Sequence, residues 1–311
     1  MKALEGLLED TTAGDPISGL RWTHKTLRNL EAELRRQGYQ VGRTTVARLL
    51  RGRDYSLRTN RKRLARTQDP DRDRQFRFMA RQRQRFLRNG WPVISVDTKK
   101  KELIGNFKNP GTTWRKDARD VLDHDFPSAA KGRGIPFGLY DEGRNTGFVV
   151  VGTSRETADF ATAATRTWWL ENGRWCYPKA TRWLIEADCG GANGYRLWTW
   201  KAGLQRLADE FGVAITVAHL PPGASKWNRI EHRMFNLISK NWEGEPLTSY
   251  ELMLNHIRTT TSSTGFRCRV ELDTTDYPAK VTVATDERAT IRLKRHKVLP
   301  QWNYTIWPRH K

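Results

Sequence analysis

The chain has 311 residues, with 55 Lys and Arg against 34 Asp and Glu, a net charge of +21 and a pI near 10.3. That excess suits a polyanionic partner, because each neutralised phosphate releases condensed counterions, and the length allows two domains. Cys176, Cys189 and Cys268 are odd in number and show no CxxC spacing, so neither a disulfide framework nor a structural zinc site is suggested, and no apolar run approaches the ~18 residues of a membrane span.

In chain order, Leu27, Leu30 and Leu34 recur at helical spacing between His24 and Gln37. The chain breaks at Gly38-Tyr39-Gln40-Val41 and resumes over Gly42 to Leu50. In the second segment Thr44 can cap, Val46, Leu49 and Leu50 face inward, and Arg43, Thr45, Arg48 and Arg51 point outward as DNA-contact candidates. Two short helices with a glycine turn read as a helix-turn-helix over residues 1–58. The alternative is any helical hairpin with a solvated basic face. Arg51 to Leu57 could start a small wing. From Arg58 to Arg88 twelve Lys and Arg face three Asp, +9 of the +21. Residues 59–91 therefore read as a basic linker with a helix around Gln75 to Leu87.

From Pro92 the texture changes. Val93 to Asp97 reads as a buried strand ending in an acid, and Ile135–Tyr140 and Phe148–Gly152 as two strands joined by the turn Asp141 to Asn145. Ser154 is placed to cap a helix through Leu170. Trp183 to Asp188 is again a strand with a terminal acid, followed by the glycine-rich Gly190 to Gly194. A helix over Tyr195–Phe211, a strand over Val213–His219 and helices after Ser225 and Ser249 complete the order. Strands linked by hairpins, then alternating helices and strands, predict an α/β mixed sheet flanked by helices over 92–262. Residues 263–311 read as a C-terminal extension with short strand-like pieces and a basic, tryptophan-bearing end.

The segment His219 to Trp242 repays a helical wheel. At about 100° per residue, Trp227, Ile230, Met234, Phe235, Leu237, Ile238 and Trp242 share one arc. Asn228, Arg229, His232 and Arg233 fall on the other. Glu231 breaks the pattern by lying inside the apolar arc. A buried carboxylate is costly unless it is paired or binds a cation. With Asp97 and Asp188 at strand ends, three converging acids would make a hard-oxygen site suited to Mg²⁺ or Mn²⁺, two ions serving phosphodiester chemistry. Each acid also has a bland reading: a turn acceptor for Asp97, a cap for Asp188, an arginine partner for Glu231. Glu186 and Asp141 are rivals, one deeper in its strand and the other in a hairpin turn. Lys99, Lys100, Lys226, Asn228 and His232 are candidate phosphate contacts. Trp168, Trp169, Trp198 and Trp200 read mostly as core.

The blocks VISVDTKKKELIGNFKN, LIEADCGGANGYR and HLPPGASKWNRIEHRMFNLISKNW resemble the acid-bearing blocks of the ISAzo-thirteen type, or Rhodopirellula-type, insertion-sequence transposases. RWTHKTLRNLEAELRRQGYQVGRTTVARLL and the terminal WNYTI are similar to the same family. The resemblance implies a ribonuclease-H-like DDE core with Asp97, Asp188 and Glu231 as the catalytic, metal-binding triad. It implies double-stranded DNA as partner, at element ends and target, a homo-oligomer on that DNA, and a bacterial cytoplasm in contact with the nucleoid. Members usually carry a further upstream stretch with an additional helix-turn-helix, so the chain also looks like a truncated copy. A stand-alone nuclease and a non-enzymatic DNA-binding regulator are the alternatives.

Overall fold

A computed structural model describes residues 26–57 and 69–309, with short pieces at 3–4, 7, 12–14 and 21–23. Residues 58–68 and the ends lie outside it, and with them residues 59–68 of the expected linker. Contacts divide the chain into two units, Met1–Leu64 and Ala65–Lys311.

In the first unit, α1 (Leu27–Arg36) is capped by Thr26, whose side chain accepts from Asn29 N, and α2 (Arg43–Arg51) follows the turn at Gly38. Leu30, Leu34 and Val46 are buried together, which is the apolar spacing of the sequence put to use. Thr44 does not cap. The N-cap of α2 is Gly42, so Thr44 is already inside the helix and exposed. Gly52 to Asp54 form a turn, and no strand follows among the described residues to Leu57.

The second unit begins with α3 (Arg72–Arg88) and is built on one mixed sheet. Its strands are β1 (Val93–Thr98), β2 (Gly132–Asp141), β3 (Thr146–Gly152), β4 (Arg182–Ala187), β5 (Ala214–His219), β6 (Arg267–Asp273) and β7 (Asn303–Ile306). The central order is β3-β2-β1-β4-β5, with β2 antiparallel to its neighbours and β1, β4 and β5 parallel. This is the ribonuclease-H-like arrangement that the resemblance implied. The C-terminal residues are no appendage. β6 pairs with β3 at one edge, and β7 pairs with β5 toward the other, where Leu293–Arg295 adds a last short strand. Each end strand satisfies backbone groups that a five-stranded sheet would leave open.

The pleat sorts the strand residues. Ile94 and Val96, with Trp183, Ile185, Ile215 and Val217, face one side, under α4 (Ala158–Trp168) and α5 (Trp198–Phe211). Trp168 and Trp200 are fully buried there and Trp169 nearly so. The cap of α4 is Thr157, which accepts from Phe160 N, not Ser154; the Ser154 hydroxyl instead donates to the Thr275 carbonyl. The other side carries two groups of helices. Phe78, Met79 and Phe86 of α3 cover Val93, Leu184 and Ala218, so α3 belongs to the core and is not a linker helix. A π-helical turn (Glu231–Phe235) running into α6 (Asn236–Asn241), together with α7 (Tyr250–Arg258), covers Val149, Val151 and Val270.

Gly138, opposite Asp97 in the β1–β2 register, lets the π turn lie close to the sheet. A Cβ there would come within 2.4 Å of the Met234 methyl and 2.6 Å of the Phe235 ring. No helix among the described residues is long and apolar enough to cross a membrane.

Candidate active site

Two strand ends and one helical turn define the site. The parallel register of β1 and β4 pairs Val96 with Ala187, and one step further it sets Asp97 beside Asp188. By alternation Val93, Ser95 and Asp97 face the seam between α3 and the π turn, and so do Glu186 and Asp188. Glu231 opens that turn, half-buried between the fully buried Ile230 and Met234.

The Asp97 carboxylate is held at both oxygens. Oδ1 accepts from Thr98 N at 2.8 Å, and Oδ2 from Asn228 Nδ2 at 3.0 Å. Burial, then the charge of Asp188, and less strongly that of Glu231, push its pKa up to about 7 against these two hydrogen bonds. Asp188 Oδ1 accepts from Gly190 N at 3.2 Å, and burial, with Glu156 and Glu231 behind it, raises that pKa as well. A cleft of about 430 Å³ lined by Asp188, Gly190, Tyr195, Arg196 and Pro221 opens beside the second acid.

Among the described residues none of the three acids makes an ion pair, in a chain with 55 Lys and Arg. The surrounding cations are engaged elsewhere. Lys99 pairs with Glu102, Lys101 with Glu156, Arg229 with Glu142, and Arg83 with both Glu142 and Glu186. Among the described residues no group of three or more His, Cys, Asp or Glu side chains is close enough as it stands to hold a metal ion. Asp188 and Glu231 nevertheless raise the pKa of Asp97, and Glu231 that of Asp188, and carboxylate oxygens are the donors that Mg²⁺ and Mn²⁺ prefer. The rivals have other duties: Asp141 accepts from Gly143 N, Arg144 N and Tyr177 OH in its turn, and Glu186 binds Arg83.

The expected DNA contacts divide. Lys100, Lys226 and His232 are exposed, although Lys226 Nζ lies 4.2 Å from the Trp227 ring centre and the His232 ring meets the Lys226 carbonyl. Lys99 and Asn228 are not at the surface. Lys99 is buried, 3.0 Å from Glu102 and over the Trp242 ring, and Asn228 is buried against β1. In the first unit Arg43, Arg48 and Arg51 are exposed and Thr45 half-exposed, with Arg43 Nε 3.5 Å from Glu31. Residues of the site that local sequence did not single out include Ser95, which bonds Asn228, and Tyr304, which meets His219. Both relations join segments distant in the chain, so only the fold reveals them.

A family model described as the Rhodopirellula transposase DDE domain matches residues 3–308. A search of curated proteins finds no match. Among solved structures, the Mos1 transposase paired-end complex with left transposon end is similar at 13% identity and a TM-score of 0.43, over 80% of this chain and 67% of that one. The Mos1 strand transfer complex is similar at 14% identity and a TM-score of 0.42, over 81% and 67%.

Proposed function

The chain belongs to the Rhodopirellula transposase DDE family, and from that premise we propose that Asp97, Asp188 and Glu231 catalyse phosphodiester hydrolysis at element ends and transfer of the freed 3′-hydroxyl into target DNA. The observation that carries this reading is three carboxylates in one seam, two of them on adjacent strand ends, with no ion-pair partner among the described residues in a chain of net charge +21.

The three acids supply hard oxygen donors for two Mg²⁺ or Mn²⁺ ions. When bound, such ions activate an attacking oxygen and stabilise a leaving one. The chain's own part is to hold the donors still. Thr98 N and Asn228 fix both oxygens of Asp97, and Gly190 N fixes one of Asp188. Water is the first attacking group and the 3′-hydroxyl the second, so no side-chain nucleophile is required. Arg43, Thr45, Arg48 and Arg51 on a helix-turn-helix, with Lys100, Lys226 and His232 near the acids, would hold double-stranded DNA chiefly through phosphates. The acting species is a homo-oligomer that brings two ends together, in the cytoplasm beside the nucleoid.

The test is a strand-transfer assay with labelled donor ends in Mg²⁺ or Mn²⁺. The parent should nick and join. Asp97→Asn, Asp188→Asn and Glu231→Gln should each lose both steps while binding DNA with parental affinity by fluorescence anisotropy. Cutting without joining would make the protein a nuclease, and unchanged activity in Asp97→Asn would remove the catalytic reading altogether.

A further inference from the structure

Asn228 belongs to the helix face that sequence reasoning turned toward solvent, yet it is 1% exposed. It follows the 3₁₀ turn Ser225–Trp227 and precedes Glu231 by three residues. Three of its polar atoms are engaged. Its Oδ1 accepts from Ser95 Oγ at 2.7 Å, its Nδ2 donates to Asp97 Oδ2 at 3.0 Å, and its carbonyl accepts from Glu231 N at 3.2 Å.

We infer that Asn228 is a positioning residue, which locks the Asp97 carboxylate in one orientation and sets its distance from Glu231. This rests on the reading of Asp97 and Glu231 as ligands of a divalent ion. The chemistry of the amide makes the case. The Ser95 hydroxyl donates to the amide oxygen, which leaves the NH₂ group facing Asp97; the flipped amide would set oxygen against a carboxylate oxygen. An aspartate of the same shape would lose the donor and set another negative charge against Asp97. Leucine would leave both Ser95 and Asp97 without their partner. The same residue then receives the backbone N–H of Glu231, so one residue joins the first acid to the third.

A plain loop staple is the competing role, but that duty is already filled. Before Asn228, Trp227 packs edge-on against Phe76, and after it Arg229 lies 3.2 Å from Glu142 and Ile230 is fully buried, so the segment is anchored on either side without the Asn228 amide. What Asn228 adds is its grip on an oxygen of Asp97. Partners that orient a ligand in this way typically change metal affinity by ~10- to 100-fold when removed.

The experiment titrates the full chain with Mn²⁺ alone, reading free Mn²⁺ by electron paramagnetic resonance. DNA binding is followed by anisotropy and folding by thermal melting. Asn228→Ala should weaken Mn²⁺ binding by ~10-fold or more with DNA affinity unchanged. Ser95→Ala, which leaves Asn228 in place but frees its amide to turn, should show a smaller loss of the same sign. Asp97→Asn separates the two levels of the argument. If it binds Mn²⁺ like the parent, the ligand reading fails whatever Asn228 does. If it loses Mn²⁺ while Asn228→Ala keeps parental affinity, the positioning role alone is overturned. Should Asn228→Ala not melt cooperatively, parental Mn²⁺ affinity in Ser95→Ala overturns it instead.

Discussion

His219 Nδ1 lies 2.7 Å from the carbonyl oxygen of Asp188, so the last residue of β5 holds the backbone that carries the second acid. A carbonyl can only accept, which puts the imidazole proton on Nδ1. Nε2 is then the acceptor for the Tyr304 hydroxyl of β7, 3.2 Å away. The last residue of β5 is also tied through its backbone, its N–H to the Trp302 carbonyl and its own carbonyl to Gln75 of α3.

The arrangement predicts an acid limb of instability. Burial first, and the charge of Lys201 in the same sense, push the His219 pKa down to about 4 from 6.5, against the Asp188 bond. Between those values the unfolded chain binds a proton that the folded chain refuses. The contribution is therefore complete above about pH 6.5 and is lost as pH falls toward 4, a difference of ~3 kcal/mol at most. Urea midpoints at pH 7 and 4.5 should fall more steeply for the parent than for His219→Asn, which keeps a donor and cannot charge. Parallel curves for the two proteins would sink the idea.

Asp97 predicts the opposite slope in the metal-free protein. Its folded pKa of about 7 stands above the ordinary 3.8, chiefly through burial and next through Asp188. The folded state holds the proton more tightly, so this contribution is present below pH 3.8 and is lost as pH rises through 7. Asp97→Asn, neutral throughout, should melt higher than the parent at pH 8 in EDTA, by on the order of 1–2 kcal/mol after allowance for solvent screening. Below about pH 3.8 the two should nearly coincide. A variant that is less stable at pH 8 would show that the carboxylate is not under repulsion. The expected gain in stability beside a loss of cutting is the usual trade at a site built from like charges.

How much of this was legible follows from where the information lies. The strands ending at Asp97 and Asp188 were readable because two apolar runs each stop at an acid, and parallel pairing then brings the ends together. Glu231 was readable as an oddity on an apolar face. The wheel that revealed it assumed one angular step throughout, whereas the segment begins as a 3₁₀ turn and passes through a π turn. Trp227, placed on the buried arc, is accordingly 39% exposed, and Asn228, placed outside, is buried. β6 and β7 were legible only as short strand-like pieces, because a strand near the margin of a sheet depends on its neighbour's backbone more than on its own pattern. α3 was misjudged for a similar reason, since its arginines suggested solvent and their partners lie on distant strands.

Arg83 of α3 offers the sharpest test of that last point. Its Nε lies 2.9 Å from Glu142 Oε2 and its terminal nitrogen 2.5 Å from Glu186 Oε2, and both glutamate side chains are only 3% exposed. Burial, and then the charge of Glu186, push the Glu142 pKa up to about 8 even with Arg83 and Arg229 pulling it down. Arg83→Met keeps the apolar stem and deletes the charge, leaving two carboxylates in the seam with only the half-exposed Arg229 beside Glu142. The expected loss is about 3–5 kcal/mol, the usual result of stripping one partner from a buried ion pair. Adding Glu142→Gln and Glu186→Gln should restore much of it, because the uncompensated charges then disappear together. Equilibrium urea unfolding of the single and triple variants decides the matter. A single variant within about 1 kcal/mol of the parent would mean that α3 is held by Phe78, Met79 and Phe86 alone.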